Sequence, residues 1–242
     1  MFNKNRTFVT VTAIILAIGL IGSTMAFTLF SLPIGSDPTI NPEVYEESLR
    51  QDIAIMEAEV ENDPDYLPGW VALGNYRYDM GRFLSLNGNL EEGEDFYRQA
   101  VEAYSKALEM DPDDTNVRVD MATAAFYSGI SDLAEENFQI AMEKDPQHVI
   151  APLNYGIFLI EVRQDYEKAR DVWTKAQSLN PTKEQADFLK ELVAFATSVI
   201  ESAPPGAPAG LQSPDLTGLF ELEGEEEITL EALLELDDTQ QE

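Results

Sequence analysis

Hydrophobic and polar residues follow three different patterns along this chain of 242 residues: an apolar run, a periodic middle and an acidic end. There is no charged residue from Thr7 to Ser36, and residues 8–32 are almost entirely apolar. As a helix this run is roughly 37 Å long, enough to cross about 30 Å of hydrocarbon. Residues 7–32 are therefore predicted to form a transmembrane helix.

The charges on either side of the run predict its direction. Lys4 and Arg6 precede it, whereas Asp37 and Glu43 follow it. By the positive-inside rule, residues 1–6 are expected in the cytoplasm and the chain beyond the span outside it, as in a single-pass protein of the cell membrane. A cleaved signal peptide is the alternative, although its apolar region is usually only about 7–15 residues long.

The middle of the chain is divided by Asp-Pro and Asn-Pro pairs. Their prolines are Pro64, Pro112, Pro146 and Pro181, which are 48, 34 and 35 residues apart. Because proline cannot continue a helix, each pair is predicted to separate one helical hairpin from the next.

Small and aromatic residues recur at fixed places between these prolines. They are the segment Trp70-x-x-Leu-Gly74, the pair Tyr155-Gly156, and the pattern Ala-x-x-x-aromatic-x-x-Ala at 100–107, 134–141 and 169–176. Small side chains let two helices approach closely, and the aromatic side chain fills the space between hairpins. Over residues 63–181 the chain resembles the tetratricopeptide-repeat (TPR) family, whose repeat is about 34 residues long.

The resemblance implies an all-α fold, a TPR solenoid of helical hairpins preceded by the transmembrane helix. Its three repeats are expected at residues 63–112, 113–146 and 147–181. The second repeat departs from the family pattern, because Arg118 stands at the tryptophan position and Met121-Ala122 replaces Leu-Gly.

The first proline interval is 14 residues longer than the second. The extra residues lie between Phe83 and Tyr97, and Asn87-Gly88-Asn89 within them has the composition of a turn. We therefore predict that they add about two turns to each helix of an extended hairpin, which would project about 10 Å. A disordered loop is the alternative, and a calcium loop is disfavoured because its glycine and glutamate are missing.

The segments on either side complete the predicted organisation. Residues 33–62 are expected to form a linker and a capping helix that begins near Pro42. Residues 182–202 are expected to form the solvating helix that closes a repeat array. Residues 203–242 are expected to be a Pro- and Gly-rich linker and an acidic disordered tail, whose apolar stretches fit either docking motifs or a solvated tail.

Composition narrows the function. The chain has 45 acidic and 15 basic residues, for a net charge of −30, which disfavours nucleic acid as a partner because phosphate is bound by Lys and Arg. It has no cysteine, so disulfides and thiolate metal sites are excluded. Its one histidine, His148, is expected to be an exposed turn residue. Enzyme motifs are also missing, so we expect no catalytic residue, cofactor or metal ligand and no enzymatic activity.

The resemblance to TPR proteins also implies a concave groove lined by the first helix of each repeat. By register, its residues are Val71, Asn75, Tyr78 and Asp79 in the first repeat, Asn116, Val119, Thr123, Phe126 and Tyr127 in the second, and Ile150, Leu153, Ile157 and Ile160 in the third. This mostly apolar surface suits a protein or peptide client, such as an amphipathic helix. The groove is either open to a client or covered by the capping helix or the tail.

Some TPR proteins hold the C-terminal carboxylate of a partner in a clamp of Lys, Asn and Arg. Here Asn75 matches one clamp position, but Val71 and Asp120 stand where Lys and Asn are required. The resemblance therefore does not extend to the clamp.

The layout of anchor and repeats resembles the membrane-bound TPR proteins of bacterial c-type cytochrome biogenesis, and residues 62–74 resemble the opening of their arrays. That resemblance implies an assembly factor or scaffold that presents apocytochrome. The alternative is a permanent structural subunit of an extracytoplasmic membrane complex, such as a pilus, a secretion system or the division apparatus.

Overall fold

The computed structural model describes residues 42–202, and every regular element in that range is helical. The predicted transmembrane helix at 7–32 and the predicted tail at 203–242 lie outside the described residues. Among the helices between Pro42 and Ser202, none combines the length and the apolar character needed to span a membrane.

The helices form three hairpins with a further helix at each end. In chain order they are α1 (Pro42–Asn62), α2 (Leu67–Leu86), α3 (Leu90–Met110), α4 (Thr115–Tyr127), α5 (Ser131–Lys144), α6 (Ile150–Phe158), a π-helical turn (Leu159–Arg163), α7 (Tyr166–Ala176) and α8 (Lys183–Ser202). The pairs α2–α3, α4–α5 and α6–α7 pack as hairpins, while α1 packs on α2 and α8 packs on α7. Short connections make the two helices of each hairpin antiparallel. The described chain is thus an all-helical, TPR-like solenoid, as predicted.

The first and third hairpins are each held together by a glycine that faces an aromatic residue. A Cβ atom on Gly74 would overlap the ring of Tyr104, and one on Gly156 would overlap the indole of Trp173. Tyr104 and Trp173 are almost fully buried, and the indole Nε1 of Trp173 donates a hydrogen bond of 2.9 Å to the carbonyl oxygen of Leu153. The repeated glycine is therefore a packing requirement of the helix interface.

The first hairpin is longer than the second. Its helices have 20 and 21 residues, against 13 and 14 in α4 and α5, so each is seven residues longer. Gly81 and Gly93 let the added turns approach closely, because a Cβ atom on Gly81 would lie 2.9 Å from the carbonyl oxygen of Gly93. The connecting turn contains Gly88 with a φ of 87°. The extra residues of this repeat are thus helix and a tight turn.

The third hairpin contains one extra residue, and the π-helical turn accommodates it. Gly156 follows Ala122 by 34 residues, but Gln164 follows Gly129 by 35. Gln164 and Gly129 lie at equivalent points, since each follows a first helix and has a positive φ, 53° and 75°. The additional residue therefore falls after Gly156, where the helix widens at Leu159–Arg163. A π turn inserts one residue without breaking the helix.

We expect Gly156→Ala to destabilise the protein by about 1–3 kcal/mol, because the added methyl group would overlap Trp173. A helical glycine in open space behaves oppositely, since alanine there stabilises by up to about 1 kcal/mol. Urea unfolding followed by circular dichroism measures the change. Ala194→Gly, at an exposed position of α8, measures the difference in helix propensity between alanine and glycine without a packing effect. A Gly156→Ala variant as stable as the parent would contradict the packing role.

Candidate partner-binding surface

The structure separates the predicted groove residues into three groups by their surroundings. The first group is buried: none of its members is more than 7% exposed, and two are fully buried. They are Val119, Ile150, Leu153, Ile157 and Ile160. These side chains belong to the continuous core of the second and third hairpins and so support the concave face from beneath.

The second group consists of polar residues that bond to neighbouring helices. The hydroxyl of Tyr104 donates a 2.8 Å hydrogen bond to Oδ1 of Asn75 across the first hairpin. Thr123 Oγ1 donates to the carbonyl oxygen of Val119 and accepts a bond of 3.1 Å from Nδ2 of Asn154 on α6. Asn75 and Thr123 thus use their hydrogen-bonding groups within the fold.

Asn116 belongs to the same group, and its partner is the single histidine. Nε2 of His148 lies 3.0 Å from Oδ1 of Asn116, and the backbone N–H of Ala151 donates to Nδ1 of His148 over 3.0 Å. Both bonds form when the ring is neutral and carries its proton on Nε2. The expectation of an exposed turn residue is wrong for His148: it lies in the turn, but its ring is half-buried and joins α4 to the start of α6. Burial lowers the pKa of His148.

The third group is apolar and partly exposed, and it comprises Val71, Tyr78, Phe126 and Tyr127. The rings of Phe126 and Tyr127 stack with their centroids 4.8 Å apart, and Tyr78 on α2 lies 6.2 Å from Tyr127. We call Tyr78, Phe126 and Tyr127 the aromatic face. It joins the first and second hairpins.

A further aromatic residue, which sequence reasoning did not assign to the groove, supports this face. Tyr97 on α3 is 2% exposed and stacks on Tyr127 at 5.1 Å. It also lies 5.2 Å from Tyr78. Tyr97 lies close to Gly93, where the two long helices of the first hairpin meet, so the extended hairpin supplies the support for Tyr127.

One carboxylate beside the aromatic face is paired within the fold. Nη2 of Arg82 lies 3.6 Å from Oδ1 of Asp79, and the guanidinium is almost fully buried. Burial raises the pKa of Asp79, and the charge of Arg82 partly offsets that rise. In a pair of this kind, the positive charge of Arg82 offsets much of the negative charge of Asp79.

Two other carboxylates lack a cation among the described residues. Asp120 on α4 is half-buried, and burial raises its pKa well above the usual value, with Asp114 and Asp79 adding repulsion. Glu161, in the π-helical turn, retains solvent exposure, yet the desolvation of its carboxyl group raises its pKa to about 7. The surroundings of both groups disfavour their charged forms.

Residues 42–202 contain no group of three or more His, Asp and Glu side chains placed to hold a metal ion. The surface offers apolar contact from the aromatic face, and beside it stand carboxyl groups that lack a cation among the described residues.

The fold is a TPR-like solenoid, and the aromatic face joins its first and second hairpins. No family model matches the chain. A curated relative, a TPR repeat-containing protein of Dictyostelium discoideum, is 27% identical over 136 residues, which are 56% of this chain and 46% of that protein. The matched part thus spans less than half the length of the relative.

Three solved structures are similar at low identity. The MamA protein is 15% identical with a TM-score of 0.48, covering 79% of this chain and 88% of its own. The TPR2AB domain of yeast Sti1, solved with pHSP90, is 15% identical with a TM-score of 0.37 and covers 64% and 81%. YrrB, titled a TPR protein with an unusual peptide-binding site, is 20% identical with a TM-score of 0.33 and covers 60% and 84%.

We expect the contribution of neutral His148 to the free energy of unfolding to decrease as the pH falls below about 6.5, the usual pKa of histidine. The folded state holds His148 neutral, so the unfolded state binds the proton more readily and gains population in acid. The free energy of unfolding, measured in urea at pH 7.5 and 5.0, should differ between the parent and His148→Gln at the higher pH and converge at the lower one. If the difference in unfolding free energy between the parent and His148→Gln were the same at both pH values, the stabilising role of neutral His148 would be contradicted.

Glu161 should give the opposite pH dependence, with stability decreasing as the pH rises. Its raised pKa means that the folded state binds a proton more readily between pH 4.5 and about 7, so the parent loses stability as the pH rises through that window. Glu161→Gln removes this dependence and should become the more stable protein as the pH increases from 5 to 8. Equal pH dependence of the two unfolding free energies would show that the carboxyl group is not desolvated.

Proposed function

We propose that this chain is a membrane-anchored, non-catalytic scaffold that binds a segment of another protein on its concave face. The observation that carries the proposal is the aromatic face, whose three rings are partly exposed while the core beneath them is closely packed. Rigid aromatic side chains of this kind contribute much of the energy of protein interfaces.

An internal helix of the partner fits this surface better than a chain terminus. The carboxylate clamp is incomplete, and Asp120 at one of its positions would repel a C-terminal carboxylate. An amphipathic helix instead presents apolar side chains at every third or fourth position, which suits contact with Tyr78 on one hairpin and Phe126 on the next.

The anchor belongs to the same proposal. Residues 7–32 provide the membrane span, and the first described helix, α1, begins at Pro42, ten residues after it. Such a short connection holds the concave face near the membrane surface, outside the cytoplasm. The resemblance of residues 62–74 to the arrays of c-type cytochrome biogenesis makes apocytochrome the first client to test.

We expect Tyr78→Ala combined with Phe126→Ala to reduce partner co-purification from membranes at least tenfold, because interface anchors of this type are each worth about 2 kcal/mol or more. Circular dichroism should remain unchanged. The matched control is Val44→Ala combined with Ile55→Ala, which removes two exposed apolar side chains from α1.

Equal co-purification by the two double variants would contradict the proposal. A partner that remains in a fixed ratio through detergent extraction would identify a permanent structural subunit, whereas a substoichiometric partner would identify an assembly factor.

A further inference from the structure

Asp120 and Glu161, near the aromatic face, lack the cationic partners that other carboxylates of the described array have. Arg163, two residues after Glu161, pairs with Glu135 at 2.7 Å and with Asp132 at 3.0 Å on the neighbouring α5. Lys144 pairs with Asp113 in the turn before α4. The cations of this region thus pair with carboxylates other than Asp120 and Glu161.

Asp120 lies on the same side of α4 as the aromatic face. It precedes Tyr127 by seven residues, which is two helical turns, so the two side chains project in the same direction about 10 Å apart. Its electrostatic neighbours are Asp114 and Asp79, which are both acidic. A carboxyl group with acidic neighbours therefore stands at one end of the face, and a cation placed beside it would favour its charged form.

Glu161 stands on the other side, in the third hairpin. Glu161 follows Phe158 by three residues, and the ring of Phe158 lies 5.8 Å from the ring of Phe126, so this turn of the third hairpin lies next to the aromatic face. The π-helical turn determines its position, because the extra residue rotates the end of the helix relative to an uninterrupted α-helix.

We propose that the partner is a basic amphipathic helix, whose apolar stripe contacts the aromatic face and whose Lys or Arg side chains pair with Asp120 and Glu161. This inference rests on the proposed function and adds the chemistry of the partner. Lys and Arg lay their apolar stems along such a surface while the charged end reaches a carboxylate, and a cation near an aromatic ring gains a further attraction.

Charge also decides between this partner and the chain's own C-terminal segment. Residues 211–242 contain 11 acidic residues and no lysine or arginine. Their apolar stretches at 219–222 and 228–236 would bring glutamates towards Asp120 and Glu161, and like charges at an interface are unfavourable. The tail therefore does not fit the face.

The test uses the full chain in nanodiscs of zwitterionic lipid and three fluorescent 18-residue helical peptides with the same leucine stripe. Their polar positions carry Lys, Gln or Glu, and empty nanodiscs provide the blank. The Lys peptide should bind most tightly by fluorescence anisotropy, and Asp120→Asn with Glu161→Gln should weaken it at least tenfold while leaving the Gln peptide unchanged.

The matched control is Glu136→Gln with Glu143→Gln, which changes the net charge equally at two exposed positions of α5. It should alter the affinity for the Lys peptide less than twofold. Equal losses in the two double variants would mean unspecific attraction to an acidic protein and would overturn the proposal.

Failure of this inference is distinguishable from failure of the proposed function. If the Lys and Gln peptides bind equally and both are lost in the Tyr78→Ala, Phe126→Ala variant, the concave face is the site but the carboxyl groups do not select the partner. If no peptide binds, both proposals fail. Competition by a synthetic peptide of residues 211–242 would make the tail the occupant and would also overturn the inference.

Discussion

The close approach of the two helices within each hairpin is the constraint on which this structure depends. Gly74 against Tyr104 and Gly156 against Trp173 leave no space for a Cβ atom, so the aromatic side chain fills the interface. With the first and third hairpins fixed in this way, neighbouring hairpins pack against one another and stack into an array. The position of the aromatic face follows from that stacking, because its rings come from two different hairpins.

The candidate site lies where the array departs from its regular period. The longer first hairpin carries Tyr97, which stacks on Tyr127 and supports the aromatic face. The π-helical turn in the third hairpin carries Glu161. The regular second hairpin supplies Phe126 and Tyr127, and the two irregular places supply Tyr97 beneath them and Glu161 beside them.

The all-helical, TPR-like fold was predictable because its signals are local. Proline spacing separates the hairpins, and the recurring pairs of small and aromatic residues locate their interfaces. Register assigns the predicted groove residues to the first helix of each hairpin, but it does not give their depth. Val119 and Leu153 are fully buried, and Asn116 bonds to His148, because burial and pairing depend on neighbouring hairpins that are distant in sequence. Tyr97 and Glu161 were missed for a related reason, since Tyr97 directly follows the insertion of the first hairpin and Glu161 lies in the π-helical turn, where family register does not predict the packing.

The central claim is that a partner binds on the aromatic face, and site-specific photo-cross-linking in intact membranes tests it most directly. A photoreactive phenylalanine analogue would replace Phe126 or Tyr78 in one set of chains and the exposed Ile55 of α1 in another. The account predicts the same cross-linked partner from positions 126 and 78 and none from position 55. Cross-linking that is equal at all three positions, or confined to position 55, would contradict it.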